Sequence, residues 1–137
     1  MSMLRLEIVT PEALTFTGDA RMVVVPGIEG ELGILPDHMP LMTEIVPGEV
    51  AVTTSGGEEL CFAIGGGFLE VLPDRVSVMT DMAVPEAEID EKAVQEAVAR
   101  AEREMREEAL SDEELASVQA SLLRSLAKLH VKRRQYR

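Results

Sequence analysis

The sequence predicts an α+β chain, with a flattened antiparallel β-sandwich over residues 1–85 and an antiparallel two-helix hairpin over residues 86–137. Three observations carry that prediction. Up to Pro85, short apolar runs with period-two alternation are interrupted by turn residues about every eight to twelve positions, as in the strands of an all-β sandwich or flattened barrel. The gaps between runs leave no room for crossover helices, which disfavours a parallel α/β sheet. After Pro85 glycine disappears, and apolar residues recur every three or four positions among Glu and Arg, as amphipathic helices require.

The strands follow in order. "LRLEIV" sets Leu4, Leu6 and Ile8 against Arg5 and Glu7, and "RMVVVP" follows the turn-like "TGDA". "GEVAVTT" follows Pro47, and "ELCFAIGGG" places Leu60, Phe62 and Ile64 on one face with Cys61 on the other. "GFLEVLPD" and "RVSVMTD" close the series around a turn at Pro73-Asp74. The glycines at 65–67 let the chain turn and pass close to neighbouring backbone, which fits a bulge at a strand start better than a phosphate cradle.

One stretch breaks the pattern. In "GIEGELGILPDHMP", residues 27–40, Gly27, Gly30 and Gly33 supply backbone freedom while Pro36 and Pro40 restrict it. The result is a loop or edge strand of fixed shape that displays Glu29 and Glu31. His38, between the two prolines, is read as a local hydrogen-bonding residue that holds the segment.

In the helical part, Ile89, Ala93, Ala97, Ala101 and Met105 recur every four positions, broadened by Val94 and Val98. "LSDEEL" reads as a restart, with Ser111 as cap, Glu114 reaching back to it, and Leu110 packing on Leu115. Leu115, Val118, Leu122, Leu126 and Leu129 form the next stripe. The very short joint makes the pair an antiparallel hairpin, with one uninterrupted helix as the alternative, because Ser111 and Asp112 weaken a continuous helix without forbidding it. Such a hairpin cannot offset its ordering entropy alone, so its stability depends on what it packs against. It is expected to be the less stable unit and able to occupy more than one position.

Composition narrows the function. Among 137 residues there are three Phe, one Tyr and no Trp, so the core is aliphatic and ring surface for stacking on bases is scarce. The net charge is −12, of which −10 falls in the first 85 residues, whereas all six charges from Arg124 to Arg137 are positive. A predominantly acidic chain is a poor nucleic-acid partner. Its basic end is either simply solvated or suited to an acidic protein surface.

Cys61 is the sole cysteine, which rules out an internal disulfide and suggests a reducing compartment. The opening "MSMLRLEIV" lacks a secretory apolar run, and no segment approaches the length of a membrane span, so no direct membrane insertion is expected. The motifs of catalysis and metal binding are missing: HExxH, GxSxG, paired cysteines, and a Walker glycine-lysine element. Neither catalytic residues, a metal nor a cofactor is expected.

The residues "VTPE", "FTG", "GELGILPDHMPLMT", "PGEV", "GGGFLEV", "VSVMTD" and "IDEKAVQEAVARAERE" occur in an order that resembles the epsilon subunits of bacterial rotary F-type ATP synthases. The resemblance covers residues 3–133. It implies a non-catalytic rotor subunit at the cytoplasmic face of the cell membrane. Its sandwich would attach to the gamma subunit and rest on the membrane c-ring, and its hairpin would regulate ATP hydrolysis at the alpha/beta hexamer. Carried onto this chain, the ring-facing loop is Gly30, Glu31, Leu32, Gly33, Ile34, Leu35, Pro36, Asp37 and His38. The regulatory basic residues are Arg124, Lys128, Lys132, Arg133 and Arg134. Some members of the family bind ATP through a motif opening the first helix and basic residues on the second. Here Ile89, Asp90, Arg124 and Lys128 fall at such positions, but Ala93 stands where that motif has arginine and Val94 where it has alanine, which argues against ATP. The alternative from another class is a free-standing sandwich that binds a ligand and dimerises through its helices. Co-purification with gamma discriminates the two.

Overall fold

The computed structural model describes residues 3–134. β1 (Leu4–Val9), β2 (Leu14–Gly27), β3 (Gly30–Ile34), β4 (Leu41–Ile45), β5 (Gly48–Thr54), β6 (Glu59–Ile64), β7 (Gly67–Val71), β8 (Arg75–Thr80) and β9 (Ala83–Pro85) come first. A short 3-10 turn (Glu86–Glu88), α1 (Glu91–Glu107) and α2 (Asp112–Arg133) follow. The nine strands hydrogen-bond in the order β1-β8-β7-β4-β2-β5-β6-β9, with β3 and β1 also on β2. The predicted sandwich and helical hairpin are both present.

The sheet folds over on itself because β2 serves both layers. Its 14 residues pair with β1 through Ala20, then with β3 and β5 beyond a bulge between Ala20 and Met22. The bulge bends the strand. "TGDA", turn-like in sequence, is strand because Thr17, Gly18, Asp19 and Ala20 pair with Glu7, Leu6, Arg5 and Leu4 of β1, and Ala20 also meets Thr54 of β5. One pairing departs from the antiparallel expectation: β1 runs parallel to β8. The whole sandwich serves as their connection, so no crossover helix is needed. β4 and β9 were not legible in the sequence, since β4 follows directly on the proline-bounded segment ending at Pro40 and β9 is three residues long.

The core is aliphatic, as the composition requires. Leu4, Leu6, Ile8, Val23, Val25, Ile64, Leu69, Val76 and Val78 are completely buried. Phe62 joins them and meets Phe16 edge-on, with ring centroids 5.5 Å apart. The Pro73-Asp74 turn is closed by Leu72 N–H to Arg75 O at 2.8 Å. Gly67 is required by close approach, since a Cβ there would overlap the Met79 carbonyl oxygen.

β6 is buried on both faces. Phe62 and Ile64 enter the sandwich core, while Cys61 and Ala63 turn outward and pack with Ile89, Val94 and Val131. The hairpin therefore lies against the outer face of β5 and β6. Asp90 caps α1 by accepting from Ala93 N–H at 3.2 Å. Ser111 and Glu114 make the expected reciprocal cap of α2: Glu114 N–H donates to Ser111 Oγ at 3.1 Å, and Ser111 N–H donates to Glu114 Oε1 at 3.0 Å.

The buried registers differ from the sequence stripes at two places. On α1, Ala93 is exposed, although Val94 and Ala101 of the same predicted stripe are buried. Leu126 is 42% exposed, whereas Ser125, Ala127 and Val131 are buried on α2. α2 packs on α1 and on the sheet at once, and small side chains are needed where the sheet comes close. A single-partner leucine stripe does not describe such a helix.

Candidate interaction surfaces

The segment at 27–40 is half strand and half turn. β3 continues the hairpin from β2, with Pro26 opposite Glu31 and Gly27 opposite Gly30. Gly30 has φ 128°, a conformation side chains resist, which explains glycine at the turn. Beyond β3, His38 N–H donates to Leu35 O at 3.2 Å, Pro36 occupies the second turn position, and Asp37 takes φ 66° in the third. Proline then a positive φ is the pattern of a type II turn, and Asp tolerates it better than most residues. Asp37 N–H donates to Pro73 O at 3.2 Å, tying this turn to the β7–β8 connection.

His38 behaves as expected, its Nδ1 lying 2.7 Å from Met39 O. Within the predicted footing, Gly30, Glu31, Gly33, Leu35 and Asp37 are exposed, and Leu32, Pro36 and His38 are half-buried. Ile34 is completely buried and belongs to the core. It anchors the segment and is removed from the set that faces outward.

Four of the five predicted basic residues, Arg124, Lys132, Arg133 and Arg134, are already engaged within the chain. Arg124 approaches Asp81 at 3.9 Å, and Arg133 Nε pairs with Glu91 Oε1 at 3.2 Å. Lys132 Nζ donates to Glu86 O at 3.4 Å. Arg134 forks, with Nε 3.2 Å from Glu49 Oε1 and Nη1 2.5 Å from Glu59 Oε1. Arg137 lies outside the described residues. The predicted tip is thus a set of cations spread over three helical turns and facing acids of the sandwich and α1.

Ile89, Asp90 and Lys128 do come together, lining a cavity of about 250 Å³ with Glu88, Ala93 and Ser125. Arg124 is not among its lining residues; it turns to Asp81. The Asp90 carboxylate is committed to the α1 cap. Two acids against one lysine, in a space below the usual range for ligand pockets, suit a nucleoside triphosphate poorly.

A further surface was not identified from sequence. Register places Met42, Glu44, Phe68, Glu70, Ser77 and Met79 on one outward face of β4, β7 and β8. Met42 is 60%, Phe68 53% and Met79 38% exposed. An apolar hollow of about 410 Å³, lined in part by Val9, Pro11 and Gly67, adjoins Met79. Alternation with Glu44, Glu70 and Ser77 disguised this face as ordinary solvent-exposed strand. The available signal was that its apolar members are large, where a solvated face takes charges.

A family model for the beta-sandwich domain of the ATP synthase delta/epsilon chain matches residues 3–86. The ATP synthase epsilon chain of Halorhodospira halophila (strain DSM 244 / SL1) is 45% identical over 131 residues, spanning 94% of this chain and 92% of that one. The chain belongs to the ATP synthase delta/epsilon chain family.

The epsilon chain of Xanthomonas campestris pv. campestris (strain B100) is 52% identical over 103 residues, 75% of this chain and 74% of its own. In fold, the chain is similar to one in the Euglena gracilis mitochondrial ATP synthase, at a TM-score of 0.77 and 22% identity over 90% of this chain and 77% of that one. A chain of the Tetrahymena thermophila mitochondrial ATP synthase central stalk and c-ring gives a TM-score of 0.58 at 13% identity, with 94% and 96% covered. Membership makes this a non-catalytic subunit of the central stalk, with a role in coupling and not in chemistry. It also decides against the free-standing ligand-binding module. Among the described residues, no helix is long and apolar enough to cross a membrane.

Proposed function

We propose that residues 1–85 join the shaft to the ring and that residues 86–137 regulate, with the chain held peripherally at the cytoplasmic face of the membrane. The observation that carries this reading is the asymmetry of the sandwich. One outer face is covered by the chain's own helices, while the other presents Met42, Phe68 and Met79 uncovered. The uncovered face is the one suited to gamma, because apolar area supplies the affinity and the acids around it orient the docking.

The c-ring contact falls to the segment around Glu31. Its turns are pinned to the β7–β8 connection, and a stiff footing transmits torque with less slip than a mobile loop. The helices then act on ATP hydrolysis by moving between the sandwich and the alpha/beta hexamer. ATP itself is not proposed as a ligand.

Removing residues after Asp90 tests the regulatory half. The shortened chain should still assemble with gamma, and the complex should hydrolyse ATP faster than wild type. Unchanged hydrolysis in an assembled complex removes the regulatory role.

A further inference from the structure

The contact between α2 and the sheet is thinly apolar. Ala127 and Val131 are the buried apolar residues of α2, while Leu123 is 51% and Leu126 42% exposed. Against that thin contact stands a dense group of charges at the end of the helix. Glu49 on β5 is only 14% exposed at its side chain, and its Oε1 pairs with Arg134. Its Oε2 is buried without a hydrogen-bond partner.

Glu59 on β6 takes the other arm of the same guanidinium, whose Nη1 also lies 2.8 Å from Cys61 Sγ. The groups that act on Glu49 are Arg134 and His130 from α2, Glu59 from β6 and Glu31 from β3. Acids outnumber cations here, and a buried carboxylate deprived of its partner cation is strongly unfavourable.

We propose that a charge clasp, with Arg134 inserted between Glu49 and Glu59, holds α2 on the sandwich and sequesters the helix's own cations from outside acidic surfaces. Arg124 on Asp81 and Arg133 on Glu91 extend the same arrangement along the helix. An acidic protein surface can engage these cations only by competing with the chain's own carboxylates. The clasp gains its regulatory meaning from the proposed function above, but its existence is tested separately.

The test uses the full-length chain. Cys61 is 7% exposed beneath the end of α2, so its alkylation by N-ethylmaleimide at one fixed pH reports opening. Amide hydrogen exchange at residues 127–131 reports the same event away from the thiol. Arg134→Gln should speed both by about tenfold, because it strands Glu49. Glu49→Gln added to Arg134→Gln should bring exchange back towards wild type, since the stranded charge is gone. Raising salt from about 0.05 M to about 1 M should open the wild type and have little effect on Arg134→Gln.

Unchanged exchange at 127–131 in Arg134→Gln overturns the clasp. So does a double variant as open as Arg134→Gln alone, or a wild type indifferent to salt, a reading that needs no variant to fold. If the clasp opens as expected but the assembled complex hydrolyses ATP at the wild-type rate with Arg134→Gln, the clasp stands and the regulatory reading fails.

Discussion

Phe68 on β7 lies directly opposite Met79 on β8, and both side chains face solvent on the side of the sandwich that the hairpin leaves bare. Met42 lies diagonally across from Phe68, so three large apolar side chains share this face with Glu44 and Glu70, the kind of surface that marks a docking site. Phe68→Glu should change the stability of the isolated chain by no more than about 0.5 kcal/mol, because the side chain is already exposed. Binding to gamma should weaken at least about tenfold, measured by co-purification or calorimetry with the gamma subunit. Undiminished binding would move the gamma contact elsewhere.

Glu31 is exposed on the edge strand β3. Glu31→Lys should leave the free protein folded, with an unchanged circular dichroism spectrum and melting temperature. In membranes it should reduce proton-driven ATP synthesis, since a rim charge sets orientation against the ring. Normal coupling in such membranes would count against the footing.

Ala63 is completely buried beneath α2, on the outward face of β6. Ala63→Leu overfills that contact, at a cost of about 1–3 kcal/mol for a well-packed site. The expected outcome is faster hydrogen exchange throughout α2, with the strands as protected as before. Loss of protection in both units together would show that helices and sandwich unfold as one.

Two carboxylates give the hairpin opposite responses to pH. Hydrogen bonds with the Ser111 backbone and side chain hold Glu114 below its ordinary value of 4.5. A depressed folded value means that its contribution is present above the ordinary value and is lost as pH falls through the folded one. Ser111→Ala should therefore raise exchange in the first turn of α2 about fivefold at neutral pH, with a smaller difference in acid.

Burial pushes Glu49 above 4.5, overriding the Arg134 and His130 charges that pull it down, so the ionised carboxylate loosens the hairpin and the clasp with Arg134 acts by limiting that loosening. A raised folded value means the opposite: stability is present below the ordinary value and declines as pH rises through the folded one. Exchange at residues 127–131, corrected for intrinsic rate, should thus increase above about pH 4.5 in wild type. Glu49→Gln should flatten that rise. An equal slope in both proteins would assign the dependence to another group.

The sequence by itself determined the two kinds of structure, the aliphatic core and the cap at Ser111, because each follows from local periodicity or from side chains three residues apart. It also carried a sign that β6 is covered: "LCFAI" is apolar at every position, so neither face of the strand suits water. Only the tertiary structure decided that β1 runs parallel to β8, that Ile34 is core and not footing, and that Ala93 and Leu126 stay exposed. The same holds for the cations of α2, since Arg134 and Glu49 are 85 positions apart and a charge in sequence carries no mark of its partner. Spacing along the chain fixes which side chains share a face, but which faces meet is decided by how strands and helices close over one another.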